Sequence, residues 1–218
     1  MYKLISAFIT FIAIATITAC SGTSTDNNPY NLQEGDILFQ DLNCGDMCDA
    51  IESVTEGVNG RDFSHCAIVI NDNDTLKVIE AIGDGVTINS LHQFLARSGD
   101  TSKLNNIVVG RLKDADRNLI KQATLFARQQ LGKPYDSEFI MNNGKYYCSE
   151  LVYDAYKYGN NGNELFTLAP MTFKAPQSDS FMPVWIDYYQ EMNKPIPEGE
   201  PGINPGLISR SDKLIIVE

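Results

Sequence analysis

A loop that leads into an apolar helix, with a cysteine in the first helical turn, is the most restrictive pattern in this sequence. Residues 132–135 (Gly-Lys-Pro-Tyr) end a preceding helix, and from Cys148 onward apolar residues recur at helical spacing until Gly159. The unpaired N–H groups and the positive dipole end of a helix N-terminus favour thiolate over thiol. Cys148 is therefore a candidate nucleophile whose surrounding N–H groups could hold an oxyanion. Alternatively, it is only the first residue of the apolar face.

A predicted β-hairpin supplies partners for this thiol. Residues 63–70 and 76–81 have the composition of two buried strands around the turn residues 71–74. If Asp72 and Asn73 form a two-residue loop, His65 lies directly opposite Glu80, with Cβ atoms roughly 4.5–5.5 Å apart. A carboxylate at that distance orients an imidazole, whereas a buried pair without a function would be costly. We therefore predict Cys148 as nucleophile, His65 as base and Glu80 as the group that holds the imidazole.

Five segments resemble the NlpC-type papain-like cysteine hydrolases, and they are residues 35–39, 64–69, 78–81, 132–135 and 147–152. In the ordinary family the cysteine segment comes first, whereas here it comes last, as in the circularly permuted YiiX-like branch. The resemblance implies a permuted papain-like fold and a cysteine hydrolase. It also implies that Tyr135, which matches the tyrosine of the G-x-P-Y segment, is a second oxyanion donor or a substrate contact. The alternative is a buried tyrosine whose hydroxyl is satisfied elsewhere.

Three positions bear on how far this resemblance reaches. Tyr147 stands where the ordinary family has an aspartate that binds a free amine of the substrate, which weakens the implied preference for peptidoglycan stem peptides. Glu150 replaces a usual glycine and is expected to be a solvated helix residue. Asp36 recurs in the family motif, and we interpret it as structural.

The N-terminal residues have the features of an exported lipoprotein. Lys3 precedes an apolar run that ends in Ala19-Cys20, so residues 1–19 are predicted to be a signal peptide. A cysteine directly after a small residue resembles a bacterial lipobox, which implies lipidation of Cys20; an ordinary signal peptide cut near Cys20 is the alternative. Residues 20–31 are predicted to be a flexible tether, and residues 32–218 the hydrolase domain. The protein is then anchored to a membrane of the bacterial cell envelope, in the periplasm or at the outer membrane.

Charge and cysteine usage narrow the remaining possibilities. The net charge of −11 and the lack of a basic cluster argue against nucleic-acid binding. Cys44 and Cys48 either form a disulfide or lie as free thiols on one helical face. With two histidines in the chain and no second pair of ligands, neither a metal site nor a cofactor is predicted. Cys66 alternates with His65 along its strand, so it should point to the opposite face, into the core.

The predicted elements add up to an α+β fold. Strands dominate the middle of the chain, which suggests a mostly antiparallel sheet with the cysteine helix on the face that bears His65. His92, on a short helix capped by Ser90, is expected to be a surface or packing residue, although it is the only rival base. Trp185 either packs on the sheet or walls the cleft, and packing is the expected role.

Three function classes follow. The first is a cysteine peptidase or amidase acting on a peptide or peptidoglycan-derived amide. The second is a lipid or acyl-ester hydrolase or acyltransferase, which a deep apolar groove beside Cys148 would favour. The third is a non-catalytic binding lipoprotein, which an unreactive Cys148 would favour. The sequence does not indicate an oligomeric state.

Overall fold

The described part of the chain forms a layered α+β structure. The structure is a computed structural model, and it describes residues 31–98, 107–113 and 117–217. Its strands are β1 (Ile37–Gln40), β2 (His65–Asp72), β3 (Thr75–Ile82), β4 (Gly85–Ser90), β5 (Ile107–Leu112), β6 (Ala169–Pro170), β7 (Pro201–Gly202) and β8 (Leu214–Val217). Six of them form a sheet in the order β4-β3-β2-β1-β5-β8, with antiparallel pairing throughout, and β6 pairs with β7. The α+β class and the antiparallel sheet are as the sequence predicts.

Helices cover both faces of the six-stranded sheet. They are α1 (Asp46–Ser53), α2 (Leu91–Ala96), α3 (Arg117–Gln129), α4 (Cys148–Gly159), α5 (Pro183–Glu191) and α6 (Pro205–Ser209). The cysteine helix α4 and α3 share a core with Cys66, Ile68 and Ile79 of the hairpin. Helix α2 inserts Phe94 into a second core on the other face, with Ala67 and Val78. The active-site helix is therefore held by a buried apolar layer.

The hairpin register differs from the prediction by two residues. Asp72 pairs with Thr75 and Ile68 with Ile79, so the loop consists of Asn73 and Asp74. Both loop residues have positive φ, as a type I′ hairpin turn requires and as Asn and Asp tolerate. The prediction that His65 lies directly opposite Glu80 is therefore wrong. An even shift leaves both side chains on the same face, because only a one-residue slip moves a side chain to the other face.

The cysteine helix lies on the other face of the sheet from the one predicted. Strand alternation places His65 on the face of Ala67 and Val69, whereas α4 packs against the face of Cys66 and Ile68. The prediction that α4 covers the face bearing His65 is wrong for this reason. His65 is the first residue of β2, so its ring lies at the end of the strand, where it can still interact with Cys148.

A third apolar cluster lies beside the sheet and joins α1 to α5. It contains Ala50, Phe173, Trp185 and Tyr189. Trp185 was expected to pack on the six-stranded sheet, but it packs in this cluster instead. Cys44 and Cys48 form a disulfide at the start of α1, which decides between the two open alternatives.

The predicted signal peptide, Cys20 and residues 20–30 of the tether lie outside the described residues, so these remain predictions. Within residues 31–98, 107–113 and 117–217, no helix combines the length and apolarity that crossing a membrane requires.

Candidate active site

The first turn of α4 presents Cys148 to a cleft. Tyr147 is the N-cap residue, and its extended backbone carries no side-chain cap. The first backbone N–H groups of a helix have no intrahelical acceptor, so they are available beside the Cys148 sulfur. The Ser149 hydroxyl donates to the Ile203 carbonyl at 2.8 Å, and the Ile203 N–H donates to the Tyr147 hydroxyl at 3.3 Å. These bonds tie the start of the helix to the chain around residue 203.

The loop of residues 132–135 returns to the site, as the resemblance requires. The Lys133 carbonyl accepts the Val86 N–H at 2.9 Å, and Tyr135 bridges to Tyr146 just before the cysteine. This docking needs Gly85, because a Cβ there would lie 2.0 Å from the Lys133 carbonyl oxygen. The loop brings Tyr135 to the cleft that Cys148 lines. Burial raises the pKa of Tyr135, so its hydroxyl keeps a proton to donate.

His65 and Glu80 form a buried contact. Nε2 of His65 lies 2.6 Å from Oε2 of Glu80, which leaves Nδ1 as the ring nitrogen free for proton exchange with Cys148. Glu80 is fully buried and accepts two further donors. Arg97 Nη2 lies 2.6 Å from each carboxylate oxygen, and Asn89 Nδ2 lies 2.8 Å from Oε1. The carboxylate is therefore fixed from three sides.

These contacts shift the three pKa values in directions that favour an ion pair. Burial alone would lower the pKa of His65, but interactions with Cys148 and Glu80 outweigh it and raise the pKa to about 9. Burial would likewise raise the pKa of Glu80, but His65, Arg97 and Asn89 hold it below its usual range. The pKa of Cys148 is lowered well below that of a free thiol by hydrogen bonding from Cys66 and by His65, against the effect of burial.

Cys66 is the partner of Cys148 that the sequence did not reveal. It is buried in the core on the α4 face, as predicted, and it is also the neighbour that most strongly lowers the pKa of Cys148. Burial and the neighbouring Cys148 raise the pKa of Cys66, so it remains a thiol that can donate to the thiolate. The pKa values of the two neighbouring thiols are therefore shifted in opposite directions.

Replacing Cys66 with alanine should raise the pKa of Cys148, because the thiolate loses a hydrogen-bond donor. We expect the midpoint of the pH dependence of Cys148 alkylation to move up by about one unit. Cys66→Ser is the matched control, because its hydroxyl keeps a donor at the same position. An alanine variant with the wild-type midpoint would mean that Cys66 only fills space.

The cleft beside Cys148 has a volume of about 120 Å³ and a mostly apolar lining. Phe139 forms its aromatic centre and stacks edge-on against Tyr147 and Trp185, at centroid distances of 5.6 and 5.9 Å. The backbone of Phe139 has a φ of 54°, which is strained for a bulky residue. Trp185 lines the cleft, which is the less expected of its two predicted roles.

The structure thus brings Cys148, His65, Glu80 and Tyr135 to one region, while His92 is exposed on α2. The sequence did not predict that Asn89 and Arg97 contact Glu80, because their positions depend on the β3–β4 pairing and on where α2 ends. The position of Arg97 just after a capped short helix was the only available signal.

Two of the residues discussed with the family motifs are buried. The prediction that Glu150 is solvated is wrong: its Oε1 accepts the Asn142 N–H at 2.9 Å, and burial raises its pKa to about 8. Asp36 is buried in a paired contact with Arg111, which supports the structural interpretation.

Comparison with known proteins gives consistent matches. Residues 31–218 match the model of a family whose description is permuted papain-like amidase enzyme, YaeF/YiiX, C92 family. The uncharacterized protein YiiX of Escherichia coli (strain K12) is 28% identical over 187 residues, which cover 85% of this chain and 85% of that protein. The crystal structure of the metalloprotein YiiX from Escherichia coli O157:H7 has a TM-score of 0.69 to this chain at 27% identity. The matched region covers 85% of this chain and 96% of the chain in that crystal structure.

The word metalloprotein in that description applies to the relative. In this chain, no three His, Cys, Asp or Glu side chains among the described residues converge as ligands for a metal ion. The described residues therefore do not supply the three or four converging ligands of a zinc site.

Proposed function

This chain belongs to the family of permuted papain-like amidases, and we propose that it hydrolyses an amide bond through a triad of Cys148, His65 and Glu80. The proposed substrate is a peptide or a peptidoglycan-derived amide. The observation that carries the proposal is the arrangement of the three groups. Cys148 begins a helix, Cys148 and His65 shift each other's pKa in opposite directions, and Nε2 of His65 lies 2.6 Å from buried Glu80.

In the first step the Cys148 thiolate attacks the amide carbonyl carbon and a C–S bond forms. The carbonyl oxygen takes up the electron pair and is stabilised by the backbone N–H of Cys148 and by the Tyr135 hydroxyl. As the carbonyl reforms, the C–N bond breaks, and His65 gives its proton to the departing amine. Glu80 stabilises the imidazolium before this transfer and fixes the ring orientation.

In the second step water replaces the amine. His65, now neutral, takes a proton from a water molecule whose oxygen attacks the thioester carbon. The C–S bond then breaks, releasing a carboxylic acid and restoring the thiolate beside the imidazolium. Each step uses residues of this chain and water alone.

The alternatives from the sequence have different support. The apolar cleft fits an apolar acyl group on an ester as well as on an amide, but the family favours amide cleavage. A purely binding protein would have no use for the interactions that lower the pKa of Cys148.

The pH dependence of thiol alkylation at Cys148 tests the proposed nucleophile. We expect wild-type Cys148 to be alkylated well below pH 8.5, the approximate pKa of a free thiol. His65→Ala should slow the reaction at pH 6 about a hundredfold, because an opposite charge shifts a pKa by about 1–3 units. Quantifying the modified Cys148 peptide by mass spectrometry gives the rate, with Cys148→Ala as the blank. His92→Ala, which removes the other, exposed histidine, should leave the rate unchanged.

The same proposal predicts the upper limit of the pH range for hydrolysis. The pKa of His65 is raised to about 9, so the imidazolium that protonates the leaving amine is present below that pH and lost above it. We therefore expect kcat/KM to fall as pH rises through about 9.

The alkylation experiment has an outcome that would overturn the triad. That outcome is a wild-type Cys148 whose alkylation rate has the pH dependence of an ordinary thiol and does not change in His65→Ala.

A further inference from the structure

We infer that the cleft beside Cys148 binds a small, uncharged, apolar acyl group, the size of a phenyl ring or a short alkyl chain, next to the scissile carbonyl. This inference rests on the proposed hydrolase function and names its substrate class. An apolar amino-acid residue on the acyl side of a peptide bond is such a group.

The charge of the cleft is the first property that limits which acyl group can bind. The chain has 28 acidic and 17 basic residues, yet none of the described residues that line the cleft is an Asp, Glu, Lys, Arg or His, and its one ionised group is the Cys148 thiolate, whose charge is paired with His65. Moving an ammonium or carboxylate group from water into such surroundings without a partner is strongly unfavourable. Tyr147 contributes to the lining at the position where the ordinary family has an aspartate. The cleft therefore selects against a charged group near the carbonyl.

The volume of the cleft is the second property that limits which acyl group can bind. About 120 Å³ is somewhat less than the volume of an engineered 150 Å³ apolar cavity that binds benzene. One aromatic ring or a short alkyl chain approaches this limit, whereas a long lipid acyl chain exceeds it. The size of the cleft thus favours a small peptide-type acyl group over a long lipid chain, most of which would lie outside the cleft.

The position of the general acid decides which half of the substrate enters. Cys148 lines the cleft, whereas His65 and Glu80 do not. Because the leaving amine takes a proton from His65, it must lie on the imidazole side of the sulfur. The acyl group that remains on Cys148 is then the part that fills the cleft.

An unpartnered donor on the wall is an independent sign of a ligand. Trp185 is 3% exposed, and its indole N–H has no hydrogen-bond partner among the residues that the structure describes. A buried donor of this kind is unfavourable, because it has lost its bond to water. An oxygen of the bound acyl group, such as the preceding peptide carbonyl, would provide the missing acceptor.

Hydrolysis of matched coumarin amides tests the inference. The 7-amino-4-methylcoumarin amides of heptanoic acid and 6-aminohexanoic acid have acyl chains of equal length that differ in a terminal charge. We expect kcat/KM to be at least about tenfold higher for the heptanoyl amide than for the charged one. The phenylacetyl amide should also be cleaved well, and the dodecanoyl amide less well than the heptanoyl amide.

Met171 offers a variant that changes the cleft without touching the triad. It is partly buried and lines the cleft, so Met171→Lys places an ammonium group there. We expect Met171→Lys to reduce the ratio of heptanoyl to succinyl amide cleavage at least tenfold, because succinyl carries a carboxylate. Met171→Leu keeps the apolar lining and should keep the wild-type ratio.

Alkylation gives a second readout that does not depend on hydrolysis. The rate of Cys148 modification by each reagent is divided by the rate of the same reagent with glutathione. We expect this normalised rate to be at least tenfold higher for N-benzyl iodoacetamide than for iodoacetamide. Equal normalised rates, or amides cleaved without regard to acyl charge or length, would overturn the inference and leave the hydrolase standing. A benzyl preference without cleavage of any amide would support the apolar cleft and contradict the proposed function.

Discussion

Replacing Glu80 with glutamine is expected to lower kcat/KM for amide hydrolysis by about 10³- to 10⁴-fold, the loss seen when a triad carboxylate becomes an amide. Glu80 is fully buried and lies 2.6 Å from Nε2 of His65. Glutamine keeps the shape but not the charge, so the imidazolium loses its stabilising partner. Its amide N–H₂ can also face Nε2, which fixes the wrong tautomer.

The pH profile distinguishes this effect from a loss of structure. Glu80 is one of the groups that raise the pKa of His65, so Glu80→Gln should lower that pKa below about 9. The fall of kcat/KM at high pH must then begin at a lower pH than in the wild type. A merely misfolded fraction would lower the rate equally at every pH.

Asn89→Ala is the matched control, because it removes one hydrogen bond to Glu80 but leaves the charge in place. We expect a loss of about tenfold or less, because the charge of Glu80 is unchanged and Arg97 still holds the carboxylate. A Glu80→Gln variant with near wild-type kcat/KM and an unmoved upper limb would remove Glu80 from the mechanism.

The parts of the fold that local chemistry controls could be predicted from the sequence. Ser90 caps α2 as predicted, with a full capping box to Gln93, and α4 begins at Cys148 and ends at Gly159. The hairpin existed where expected, but its loop moved by one residue, because Asn73 and Asp74 both accept positive φ. Strand periodicity fixes the face of a side chain, whereas turn geometry fixes its partner.

What could not be predicted depends on contacts distant in the sequence. Arg97 reaches Glu80 only because α2 packs across β3 and β4, and Trp185 reaches the cleft because α5 packs on α1. Glu150 was predicted to be a solvated helix residue, but the loop of residues 136–142 covers it. A single sequence carries no periodic signal for such approaches, so the residues that support a site are harder to predict than those that form it.

Replacing Arg111 with methionine is expected to lower the free energy of unfolding by about 3–5 kcal/mol, the usual result of removing one partner of a buried ion pair. Asp36 is 1% exposed, and its two carboxylate oxygens each lie 2.7 Å from Arg111, at Nε and Nη2. Methionine leaves this carboxylate buried, and among the described residues the Gln33 N–H at 2.8 Å is the donor that remains.

Urea unfolding of a variant series measures the effect and its origin. The double variant Asp36→Asn with Arg111→Met should be more stable than Arg111→Met alone, because it removes the unpaired charge. Arg111→Lys should lie between the wild type and Arg111→Met, because it restores the charge but not the two-pronged geometry. Equal stability of the single and double variants would mean that the ion pair does not account for the loss.

The position of this pair predicts that activity survives the loss of stability. Tyr156 of α4 donates its hydroxyl proton to the carbonyl of Gly35, next to Asp36, so the segment that carries Asp36 is bonded to the C-terminal half of the cysteine helix. Tyr156 lies eight residues beyond Cys148, about 12 Å along the helix axis at 1.5 Å per residue. We therefore expect folded Arg111→Met at low temperature to alkylate Cys148 at the wild-type rate. A slower rate would give Asp36 and Arg111 a role in the site as well as in the fold.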